Sequence, residues 1–148
     1  MTTRHMAVAM ALAGHLEALG IAGGRVDLNR VRSLSSSKDS AVVVRLARAA
    51  SQETSTLGGR TSWSTLIDIE CYGRDGANDV PGAVADLVLE QVFDALAAGP
   101  DVGYGVMDIE PLAGDTLAWD FDQLDTSVAC VTARFVVKHQ TNGRTLKL

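Results

Sequence analysis

The chain has 148 residues, 47% of them apolar but only 5% aromatic, and a formal net charge of -5. That length suits one domain, residues 1–148, with a core built mainly from Ala, Val, Leu and Ile. The acidic balance argues against a general nucleic-acid binder, and no apolar run approaches the roughly 20 residues needed to cross a bilayer.

The charge is unevenly distributed. From Asp75 to Ala133 there are fifty-nine residues without a Lys or Arg, and they carry twelve of the eighteen carboxylates. Such a division suits a surface that attracts one macromolecule and repels another better than it suits a catalytic site.

Thr3 to Leu19 places His5, Ala9, Leu12, Leu16 and Leu19 at helical spacing, and Gly20 with Gly23-Gly24 supplies the stop. His15 and Glu17 interrupt its apolar character, so it reads as a helix and not as a targeting signal. Val26 to Arg32 forms an imperfectly alternating first strand, and SLSSSKD follows as a turn or loop. Ala41 to Arg48 is a second strand, its β-branched run favouring a sheet. Residues 49–59 read as a mobile hairpin loop.

The third strand, Arg60 to Tyr72, alternates most clearly. Trp63, Thr65, Ile67, Ile69 and Cys71 share one face, and Ser62, Ser64, Leu66, Asp68, Glu70 and Tyr72 the other. Asp79 and Pro81 mark a helix start, with Asp79 as the cap. That helix runs to Ala98 with Val84, Leu87, Val88, Val92 and Leu96 as its buried stripe, ended by Gly99-Pro100. A fourth strand lies within Val102 to Leu112, and an acidic loop spans Ala113 to Thr126. The last strand puts Ala129, Val131, Ala133, Phe135 and Val137 on one face, and residues 141–148 form a frayed tail.

The order α-β-β-β-α-β-β predicts an α/β (α+β) fold: a mainly antiparallel five-stranded sheet with both helices on its apolar face. The opposite face, carrying Leu66, Tyr72, Val106, Val128 and Val136 among its charges, is suited to being sealed by another subunit.

Residues with chemical potential do not assemble into a motif. His5, His15 and His139 lack a ligand at metal spacing and read as surface or helix-face histidines. Asp68 and Glu70 share a strand face, where solvated carboxylates are the simpler reading. Asp120, Asp122 and Asp125 are out of register for a calcium loop. Cys71 and Cys130 read as two free thiols, and no cofactor or metal is expected. Trp119 and Phe121 stand in the acidic loop without a core period, either pinning the loop or anchoring an interface. Arg30, Arg32, Arg45 and Arg48 recur at even spacing as a ladder that needs carboxylates opposite, for instance those of a neighbouring copy.

Four segments, RTSWSTLIDIECYGRDG, DVPGAVADLVLEQVFDALAAG, VMDIEPLAGD and VACVTARFVV, resemble the tail terminator or tail completion proteins of long-tailed bacteriophages, the gpU-like minor tail proteins. The order of elements agrees over most of residues 4–140, and the specific likeness lies at about 60–140. The segment LAWDFDQLD departs from that family in being longer and more aromatic than its usual link.

The resemblance implies a subunit of a hexameric ring that caps the tail tube, ends its polymerisation and supplies the surface joining the head connector. Its location would be the head-proximal end of the virion tail, after assembly in the host cytoplasm. The first helix and the Arg30–Arg48 region would be contact candidates. DNA would pass through the ring without sequence-specific binding, sliding past carboxylates, and no membrane is involved. Two alternatives remain: a tail-tube or head-tail connector subunit, or a small hydrolase or metal-binding protein using Asp68 and Glu70 or the Asp120–Asp125 loop. On the ring reading, reversing Arg45 and Arg48 to Glu is expected to impair assembly or docking.

Overall fold

A computed structural model describes residues 2–29, 39–52, 59–121 and 128–147. Helix α1 is Arg4–Ala18, followed by a short 3-10 turn, Ile21–Gly24. Strands β1 (Val26–Leu28), β2 (Ser40–Ser51) and β3 (Thr61–Arg74) come next, then helix α2 (Ala83–Ala97) and strands β4 (Asp108–Pro111), β5 (Leu117–Phe121) and β6 (Val128–Thr141).

The sheet therefore has six strands among the described residues, one more than expected. They run in the order β1-β2-β3-β6-β4, and β5 also pairs with β6. The added strand is β5, which occupies part of what the sequence suggested was an acidic loop. β6 is long enough to take two short partners along one edge: Asp108–Pro111 pairs with its C-terminal half and Leu117–Phe121 with its N-terminal half. Between them the Thr116 hydroxyl donates to the Leu112 carbonyl, and Arg134 bridges both strands through its backbone.

One pair departs from the antiparallel pattern: β1 runs parallel to β2, and all other pairs are antiparallel. The 3-10 turn after α1 makes this route available, since Gly20, Gly23 and Gly24 all take positive φ there, as the glycine stop predicts.

The alternation in β3 and β6 places the core. Ile67, Ile69, Cys71, Val131, Ala133, Phe135 and Val137 are buried on one face beneath both helices, with Val42 and Val44 of β2. Helix α1 contributes Val8, Leu12 and Leu16, while Leu19 is 56% exposed and lies outside the stripe. Helix α2 buries Ala85, Val88, Leu89, Val92 and Leu96. The expected stripe is thus rotated, with Leu89 inside and Leu87 outside.

The start of α2 also differs. Asp75, not Asp79, holds its first turn: the Asp75 carboxylate accepts from the Gly82 and Val84 amides at 2.7 and 3.2 Å. Asp79 instead accepts from the Gly76 amide at 2.6 Å and closes the preceding turn. Gly82 occupies the N-cap in a left-handed conformation, which leaves the orphan amides to a side chain from upstream.

Candidate assembly surfaces

The face opposite the helices is a grid of matched charge. Register aligns Arg45 of β2, Asp68 of β3 and Arg134 of β6 in one row. Arg45 pairs diagonally with Glu70. Arg134 lies 3.7 Å from Asp68 and 2.9 Å from Asp115, and Lys138 lies 3.0 Å from Glu110. Glu110 also raises the Lys138 pKa.

Asp68 and Glu70 are therefore ion-pair partners on an open sheet, not a convergent acid-base pair. Arg45 finds its carboxylate within its own chain and needs none from a neighbour. Arg48 is exposed and lines a shallow cleft of about 160 Å³ with Ala49, Ala50, Ser64, Leu66, Leu112 and Val136. Arg30, Arg32 and Asp122 lie outside the described residues, as does the side chain of Phe121.

Part of this face is already dry. Val43, Tyr72 and Val128 form a small second core with Ala41 and Cys130 against it. Burial, reinforced by Cys130 and Glu70, raises the Tyr72 hydroxyl pKa. Val106, expected on this face, packs against the main core instead. Cys71 points into the main core, and burial raises its thiol. Cys130 lies on the other face, its thiol raised to about 11 chiefly by burial. Both cysteines are free.

On the helix side, a groove of about 300 Å³ runs between α2 and the sheet edge, lined by Asp86, Leu89, Glu90, Phe93 and Leu117. Asp86, Leu89, Glu90 and Phe93 recur at the helical period, so one face of α2 forms the wall. Trp119 follows Leu117 on the same face of β5 and is 56% exposed. It does not pin a loop: it stands on an edge strand with its ring in solvent. Asp120 is exposed on the opposite face of that strand, beside Cys130 in register.

Two residues that the sequence read as separate come together inside. His5 and His139 stack edge to face with ring centroids 4.8 Å apart, and His5 meets Trp63 in the same manner at 4.6 Å. His139 is fully buried, with its Nε2 2.6 Å from the Thr65 hydroxyl. The Trp63 indole donates to Thr141 Oγ1 at 3.0 Å. Burial lowers the His139 pKa to about 4, with His5 and Arg4 adding in the same direction. Burial also lowers the His5 pKa. The signal lay in the faces: His5 extends the Ala9–Leu12–Leu16 stripe, and His139 continues the alternation of Phe135 and Val137. Among the described residues, no group of three or more His, Cys, Asp or Glu could hold a metal ion, and no helix is long and apolar enough to cross a membrane.

No protein-family model matches the chain, and no curated protein matches it. Solved structures are similar to it. A chain from the virion of a native gene transfer agent particle is similar over 94% of this chain and 96% of its own, with a TM-score of 0.55 and 17% identity. A chain from the sheath/tube terminator of an extracellular contractile injection system, in its extended state, is similar over 96% of this chain and 58% of its own, with a TM-score of 0.45 and 14% identity.

Proposed function

We propose that this chain is a structural subunit of a phage-type tail, a tail terminator. It assembles into a ring, most simply a hexamer, that caps the tail tube, ends its polymerisation and presents the surface to which the head connector joins. The observation carrying this reading is the fold shared with a chain of the gene transfer agent virion over nearly the full length of both chains.

The surface chemistry agrees with that role. Asp68 and Glu70 are engaged by Arg134 and Arg45 on an open face, where no substrate would be enclosed.

Electron microscopy of the purified chain, with and without isolated tail tubes, tests the proposal. Six-membered rings on tube ends are the expected result. Tube ends left bare and still able to elongate would overturn it.

A further inference from the structure

We propose that the groove between α2 and β5 receives a second copy of this chain through the patch formed by Arg144, Leu146 and Lys147. The proposal rests on the ring reading above and supplies its subunit seam.

The groove has the anatomy of an interface core. Leu89, Phe93 and Leu117 line it, while Asp86 and Glu90, one helical turn apart, form its rim. Trp119 stands beside it, more than half exposed. The outer edge of β5 has no strand partner among the described residues. An exposed tryptophan at an uncovered sheet edge is the kind of anchor that protein contacts use.

Charge selects the occupant. The lysine- and arginine-free span from Asp75 to Ala133 includes both Asp86 and Glu90, so a docking surface must bring its own cations to that rim. The chain offers such a surface elsewhere. Leu146 is 46% exposed, and Arg144 and Lys147 are exposed on either side of it. Among the exposed large apolar residues described, Leu146 is the one flanked by cations in sequence. The Leu146 carbonyl accepts from the Arg4 amide at 2.8 Å, which fixes the patch to the body and leaves its side chains outward.

Geometry makes the contact intermolecular. β5 pairs with Ala129–Ala133 of β6, whereas the basic patch follows Thr141 at the strand's other end. Eight residue steps along the strand lead from Ala133 to Thr141, roughly 25 Å. Donor patch and acceptor groove therefore lie at different ends of one subunit. A contact between unlike surfaces is heterologous and propagates head to tail, closing into a ring when the rotation permits.

Charge reversal on the full chain tests this seam. The groove variant is Asp86→Lys with Glu90→Lys, and the patch variant is Arg144→Glu with Lys147→Glu. All four positions are exposed, and circular dichroism checks that each variant keeps its fold. Native mass spectrometry and sedimentation, with and without tail tubes, are expected to show ring formation weakened about tenfold or more in each variant alone. An equimolar mixture is expected to regain assembly, because each variant then supplies the complement of the other. If both variants assemble as the unaltered chain does, the seam is overturned while the ring reading stands. A mixture that stays dissociated likewise overturns the seam. Loss of tube binding with self-assembly intact assigns the groove to a different protein and overturns it too. An unaltered chain that forms no ring, alone or on tubes, overturns both readings.

Discussion

Gly73 lies so close to Ala85 that a Cβ at this glycine would sit 2.9 Å from the Ala85 Cα, 2.7 Å from the Val84 carbonyl carbon and nearer still to the Ala85 amide nitrogen. The end of β3 and the start of α2 are thus in backbone contact, with no flexible side chain between them to yield. Gly73→Ala should destabilise the fold by about 1–3 kcal/mol through overpacking. Urea denaturation checks this as a lower midpoint at unchanged slope.

Asp75 fastens the same corner from the other side. Asp75→Ala leaves the Gly82 and Val84 amides without their acceptor and should cost roughly 1–2 kcal/mol. Asp79→Ala loses only the turn contact to the Gly76 amide and should cost less. Thermal melts of the two variants decide which aspartate holds the helix.

The histidine pair makes stability depend on pH. His139 titrates near 4 in the fold because burial disfavours its charged form, against an ordinary value of 6.5. The unfolded chain therefore binds the proton more readily. Stability is complete above about pH 6.5 and falls as the pH drops toward 4, by roughly 2–3 kcal/mol from this residue. His5, also lowered, acts in the same direction. Denaturation midpoints measured from pH 7.5 to 4 should fall, and His139→Gln should flatten the slope. A pH-independent midpoint would contradict the buried neutral imidazole.

Arg45 and Arg48 should separate in mutagenesis, although their spacing suggests one ladder. Arg45→Glu places a third carboxylate beside Glu70 and Asp68 and should lower stability by about 1 kcal/mol or more. Arg48→Glu, at an exposed position past the β2 bulge, should leave stability within about 0.5 kcal/mol. Any loss of tube docking by Arg48→Glu then reports on contact and not on folding. Reversing both together would confound the two effects.

The alternation of Ile67, Ile69 and Cys71, and of Val131, Ala133 and Phe135, determined which face of β3 and β6 is core. A period of two leaves a strand only one way to bury its apolar set. The glycines after α1 likewise fixed where that helix ends. The short strand Leu117–Phe121 carries little local signal: its five residues are marginal alone and become a strand because β6 extends past β4 and offers an unpaired edge. The parallel direction of β1 depended on how the chain leaves the 3-10 turn, which alternation does not encode. The rotation of the α2 stripe followed from the sheet the helix lands on, since Leu87 and Leu89 are equally apolar.

Charge shows the same division most plainly. Sequence determined that Asp75 to Ala133 carries acids without cations. Only the tertiary structure decided which of those acids are already matched, because the fold sets Lys138 beside Glu110 and Arg134 beside Asp115 while Asp86 and Glu90 remain on the rim of an apolar groove. Coulomb attraction falls with distance through space, not along the chain, so the pairing of charges waits on the fold.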